Sequence, residues 1–126
     1  MSQSLPTLKR TCLAGADLSA KKYYIVKLDS AGAVVLAAAA TDAIVGVLQN
    51  KPQSGEAAVY AFGGTTKVIL GGTVAVGAWV TSDGNGKGVA TTTDGDVTIG
   101  RYIGTAAGAS GDIAEVQMSI QHLYIA

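Results

Sequence analysis

Few side chains in this sequence can do chemistry, and their spacing decides what chemistry is open. His122 is the only histidine and Cys12 the only cysteine. A nucleophile needs a base within hydrogen-bond reach and a third group to orient that base. Cys12 shows no such partner, and Gly108-Ala-Ser-Gly111 lacks the outer spacing of a nucleophile elbow. One His and one Cys, 110 positions apart, do not fill the four ligands of a structural zinc site. His122 therefore reads as an ordinary strand residue. The nearest approach to a metal loop is Asp83-Gly-Asn-Gly-Lys-Gly-Val-Ala-Thr-Thr-Thr-Asp94. Counted from Asp83 it places Asn85, Gly88 and Asp94 at the third, sixth and twelfth positions of a calcium loop, but Lys87 falls where a ligand oxygen belongs. A tight turn, for which Asp-Gly-Asn-Gly supplies the positive φ angles, explains these residues better. Gly63-Gly-Thr-Thr-Lys67 has the ingredients of a phosphate loop in the wrong order, and Gly84-Asn-Gly-Lys-Gly88 has no helix to open. Paired carboxylates depend on distance in space, yet Asp29, Asp83, Asp94, Asp96 and Asp112 all sit in or beside Gly turns, where Asp serves the backbone. These residues form no catalytic constellation, so the expectation is no enzyme, no metal, no cofactor and no small-molecule substrate.

The elements that hold these residues read as short strands. Lys22-Tyr-Tyr-Ile-Val-Lys-Leu28 is aromatic and β-branched, Asp29-Ser-Ala-Gly32 is a turn, and Ala33-Val-Val-Leu36 is apolar again. Ala37 to Ala40 has helix propensity, but the β-branched Val34, Val35, Ile44, Val45 and Val47 around it favour strand and loop, with at most a helical turn. Ile44-Val-Gly-Val-Leu48, a polar loop from Gln49 to Glu56, Ala57 to Phe62, a Gly63-Gly64 turn and Thr65 to Leu70 follow. Short strands between Gly-rich turns at spacings of about 8 to 12 residues indicate a small barrel or sandwich. The expected fold is all-β: a small Gly-rich β-barrel or sandwich, with residues 1–20 as an extended N-terminal arm and 21–126 as one β domain.

The second half of that domain repeats the first. Placing Val26 over Val80 puts Asp29 on Asp83, Gly32 on Gly86, Val35 on Val89, Asp42 on Asp96 and Gly46 on Gly100, a constant offset of 54. A small further shift brings Gly55-Glu56 onto Gly111-Asp112. The expectation is two pseudo-repeated β units, about 22–70 and 76–125, joined by Gly71 to Gly77.

Composition narrows the class of function. In 126 residues, apolar types make up 48% and charged types 14%, and nine Lys plus Arg balance nine Asp plus Glu. That charge content is about half the usual share. Phosphate binding needs a surplus of Lys and Arg, so nucleic acid is not an expected partner. No apolar run reaches the roughly 18 residues of a membrane helix, the N-terminus does not read as a secretory signal, and a single cysteine makes no internal disulfide. A neutral surface favours association. Trp79, the only Trp, either packs in the core or anchors a binding face. The chain runs out on Ile120-Gln-His-Leu-Tyr-Ile125, an apolar stretch that must pair as a strand or be covered. Trp79, Leu123, Tyr124 and Ile125 are thus candidate subunit-interface residues.

Ala78-Trp-Val-Thr-Ser-Asp-Gly-Asn-Gly-Lys-Gly-Val-Ala, with Gly95-Asp-Val-Thr-Ile-Gly100, Gly111-Asp-Ile-Ala-Glu-Val116 and the earlier Ala43-Ile-Val-Gly-Val-Leu48, resembles the capsid decoration, or cement, proteins of tailed bacteriophages. The resemblance spans residues 21 to 118 and rests on turns and small residues. It implies a virion protein made in the host bacterial cytoplasm that binds the outer surface of an expanded capsid. There it would act as a homotrimer clamping neighbouring major capsid subunits. It also implies an N-terminal arm in contact with the capsid, here Leu5, Pro6, Leu8, Lys9 and Arg10. The rival expectation is a receptor- or glycan-binding β module of a phage fibre or surface adhesin, with Trp79 and the tyrosines as exposed platforms.

Overall fold

A computed structural model describes residues 5–93 and 95–122, with side chains from 9 to 121. The chain is all-β, and no described residue is helical. Its strands are β1 (Leu5–Leu13), β2 (Ile25–Leu28), β3 (Val34–Leu36), β4 (Ile44–Leu48), β5 (Ala57–Ile69), β6 (Trp79–Ser82), β7 (Gly88–Ala90), β8 (Val97–Tyr102) and β9 (Ile113–His122). They form one antiparallel sheet in the order β3-β2-β4-β5-β9-β8-β6-β7, with β1 paired to β5, curled into a half-barrel.

Two groups of four strands share one register. In β2–β3, Val26 faces Leu36 and Leu28 faces Val34; in β6–β7, Val80 faces Ala90 and Ser82 faces Gly88. In β2–β4, Ile25 faces Val47, Val26 faces Gly46 and Lys27 faces Ile44; in β6–β8, Trp79 faces Arg101, Val80 faces Gly100 and Thr81 faces Thr98. Each partner in the second set is its counterpart plus 54, and both sets carry a bulge at the same step, Val26/Lys27 and Val80/Thr81. We call residues 25–69 and 79–122 the first and second units.

Aspartates close the turns of both units. Asp29 Oδ1 accepts from the Ala31 and Ala33 N–H groups at 2.9 Å each, and Asp83 Oδ1 accepts from Asn85 and Lys87 at 2.8 and 3.0 Å. The carboxylate oxygen of Asp83 is thus committed to its own turn. Asp42 shapes the loop that holds the four alanines: its Oδ2 accepts from Ala38 and Ala39 N–H at 2.8 and 3.1 Å and from Lys27 Nζ at 3.0 Å. These bonds draw the alanines into a loop, where a helix would need the same N–H groups. The Ala38 N–H bond, then Lys27, hold the Asp42 carboxyl below its usual range. A depressed carboxyl stabilises the folded chain above its unfolded pKa, about 3.9, and that contribution is lost as pH falls through the folded value. Asp42→Asn is therefore expected to flatten the fall in urea midpoint between pH 7 and pH 3; an unchanged slope contradicts the assignment.

One turn expected from sequence is a strand. Gly63 and Gly64 lie inside the 13-residue β5. The strand is long because β1 and β4 pair along its first half and β9 along its second, from Thr65 to Ile69. Gly64 takes φ +81°, and the register opposite slips at Pro6/Leu8 and Leu8/Lys9. The glycines bend the strand through a bulge instead of reversing it.

The core lies on two levels. One cluster joins the units: Ile25, Val47, Val68 and Leu70 pack with Val80, Ile99 and Val116. The other lies on the opposite face of the first unit, where Ala14 and Leu18 cover Val26, Val34, Leu48 and Tyr60. Cys12 is free and half-buried beside that second cluster.

Candidate functional site

The residues that remain outward after these elements form fall on three surfaces. The first is the N-terminal strand. Of residues 1–20, expected as an extended arm, Leu5 to Leu13 form a strand that pairs antiparallel with β5, Lys9 opposite Ala61 and Arg10 opposite Tyr60, whereas Ala14 and Leu18 are buried in the core of the first unit. Leu5, Pro6 and Leu8 occupy register positions opposite Thr65, Gly64 and Gly63, and their side chains lie outside the described residues. Lys9 and Arg10 are exposed. Arg10 lines a hollow with Ile44, Val45, Tyr60, Phe62 and Ile120. Phe62 stands partly out of it, tilted 56° against the Tyr60 ring at 6.3 Å. Burial pushes the Tyr60 hydroxyl up. The surface is an apolar floor with one cation, Arg10, at its rim, suited to a protein partner with some acidic character.

A second surface lies at one end of the second unit. Val76, Ile103 and Ile113 are 54%, 41% and 51% exposed, values that mark contact surface when large apolar side chains cluster. Ile103 and Ile113 line one hollow, and the Gly77 N–H, next to Val76, donates to the Tyr102 carbonyl next to Ile103 at 2.7 Å. Sequence reading passed over this trio. The repeat carried the signal: the matching positions of the first unit are Lys22, Gln49 and Ala57.

Trp79 sits on the third. It is half-buried, and the Arg101 guanidinium lies over its ring at 4.4 Å. Both line a hollow with Gln117, Met118 and Ser119. Arg101 is exposed, and no carboxylate among the described residues pairs with it. A cation held flat on an indole is oriented without being neutralised. Strands β9 and β8 separate β5 from β6 in the sheet order, so Trp79 is not on a strand next to the one that carries the arm. Leu123, Tyr124 and Ile125, grouped with Trp79 from sequence, lie outside the described residues.

No protein-family model and no curated protein matches the chain. Among solved structures it is similar to the head fiber gp8.5 N base of bacteriophage phi29, at 16% identity and a TM-score of 0.69. The two chains share a fold. The match covers 94% of this chain and 98% of the phi29 chain. At that identity the likeness resides in backbone arrangement.

Proposed function

We propose that this protein is a structural component of a tailed-phage virion that binds the outer surface of the expanded head and stabilises it by bridging neighbouring major capsid subunits. The observation that carries the reading is the near end-to-end fold match to a phage head fiber base. The surfaces support it: a neutral chain whose outward features are an apolar hollow rimmed by Arg10, an exposed apolar trio and an exposed Arg101 stacked on Trp79 is suited to protein contact. On this reading the protein is not an enzyme, needs no cofactor, and associates with itself, as a homotrimer, as well as with the major capsid protein.

Contact with the head runs through β1 and the hollow beneath Arg10. Because β1 pairs along β5, deleting the arm would strip a strand from the sheet, so exposed charges are the cleaner probe. Reversing both Lys9 and Arg10 to Glu is expected to reduce co-sedimentation with expanded heads about tenfold, with the β signal in circular dichroism intact. Undiminished binding would remove β1 from the contact. A second reading, the base of a receptor- or glycan-binding fibre, is favoured by the name of the phi29 protein; it keeps the same head contact and assigns Trp79 to an outward partner.

A further inference from the structure

The two units stack in tandem, and the stack leaves one face uncovered. In the first unit the cross-strand row Ile25, Val47 and Ala61 is wholly buried. Ile25 and Val47 face the second unit, packing with Val80 and Val116. The turn of the second unit also closes on this edge, where the Gly86 carbonyl accepts from the Ile25 N–H at 2.7 Å. In the second unit the equivalent row is Trp79, Arg101 and Gln117, half-buried, exposed and exposed. A position that is interior in one unit is therefore surface in the other. The residues there are an aromatic, a cation with no carboxylate partner among the described residues, and an amide, types that a buried contact between proteins uses.

The opposite face of the first unit shows what could fill that row. Within the chain, this type of face is what packs on the Ile25 row, since Val80 and Val116 of the second unit are the equivalents of Val26 and Tyr60. On the first unit it is capped by Ala14 and Leu18. Leu13, between Cys12 and Ala14, turns its side chain away from this cluster and is 61% exposed. The Gly15 N–H donates to the Val34 carbonyl at 2.8 Å, which brings the exposed Asp29 turn alongside. The cap thus presents an apolar side chain and a carboxylate, complementary to an indole and a guanidinium.

We propose that the Trp79–Arg101–Gln117 face receives the Leu13 and Asp29 cap of a second copy of this chain, head to tail. Leu13 lies against the indole and the Asp29 carboxylate meets the Arg101 guanidinium. Such a contact joins two different surfaces, so it builds a closed ring when the rotation between copies closes. The inference rests on the self-association contained in the proposed function and assigns its interface.

Sedimentation equilibrium of the full chain tests it. The wild type is expected to show a mass several times 12.6 kDa. Arg101→Glu is expected to raise the concentration of half-dissociation about tenfold or more. Leu13→Lys, which sets a cation on the indole beside the stacked Arg101 guanidinium, is expected to do the same. The double variant, whose two introduced side chains form an ion pair across the contact, is expected to recover to within about threefold of wild type. Both sites are exposed, so circular dichroism is expected to be unchanged; if either variant loses its β signal, Arg101→Gln and Leu13→Ser are compared in its place, each predicted to weaken association. A wild type that is monomeric at about 100 μM, an Arg101→Glu chain that dissociates like wild type, or a double variant no tighter than the singles overturns the assignment. Head binding is scored separately: a monomer that still sediments with heads defeats the ring and leaves the capsid reading, and an oligomer that ignores heads does the reverse.

Discussion

Gly100→Ala is expected to cost about 4 kcal/mol or more of folding stability, out of the 5 to 15 kcal/mol typical of a domain. Gly100 lies in β8 between Val80 and Met118, at φ +150°. A methyl group there would overlap the Gln117 carbonyl oxygen and stand 2.8 Å from the Gln117 carbonyl carbon and 2.9 Å from Met118 Cα. All three obstacles are backbone of the neighbouring strand, so relief requires parting β8 from β9. The equivalent Gly46 in β4 meets the same obstacle, the Ala61 carbonyl of β5. A contrast isolates the cause: Gly111 also has a positive φ, +89°, but nothing within 4 Å of an added methyl, so Gly111→Ala is expected to cost only the strain of its backbone angle, about 1 to 2 kcal/mol. Urea unfolding followed by circular dichroism compares them. Equal costs at Gly100 and Gly111 would refute the steric account of the bulge.

Leu70→Ala is expected to cost about 4 kcal/mol, toward the upper end of the range for buried leucines. Leu70 is fully buried in the cluster that joins the units. Its N–H donates to the Asp112 carbonyl and its own carbonyl accepts from the Gly111 N–H, each at 2.8 Å, which ties the end of β5 to the start of β9. Two glycines leave the space its side chain fills. A methyl added at Gly108 would overlap Leu70 Cδ1, and one at Gly88 would stand 3.4 Å from Leu70 Cδ2. With glycine backbone on these two sides, which carries no side chain to relax into the gap, much of the cavity persists. Leu13, 61% exposed, is the control, and Leu13→Ala is expected to change stability by less than about 0.5 kcal/mol. A cost below about 2 kcal/mol at Leu70 would mean that the two units are not joined through this side chain.

Much of the fold was legible because turn chemistry is local. Asp29 and Asp83 announce their turns by type and spacing, and each spends a carboxylate oxygen on two N–H groups of its own loop. The same locality misled at Gly63-Gly64. Two glycines permit a reversal, but the partners of β5 decide against it, and those partners, β1, β4 and β9, come from distant parts of the chain. Pairing of the N-terminal strand was illegible for the same reason, since nothing in Leu5 to Leu13 specifies β5. Of the candidate contact residues, Lys9 and Arg10 are exposed where charge led one to expect, but Arg101 attracted no notice. Its meaning lies in comparison: a buried Val47 in one unit and an exposed cation over Trp79 in the other.

The central claim is attachment to the phage head, and its most direct test is sedimentation of the purified protein with expanded, genome-free heads, followed by heating of the particles. The account predicts that the protein pellets with the heads at a saturable ratio and raises the temperature at which they rupture. Protein that stays in the supernatant at every concentration, with rupture unchanged, would contradict it.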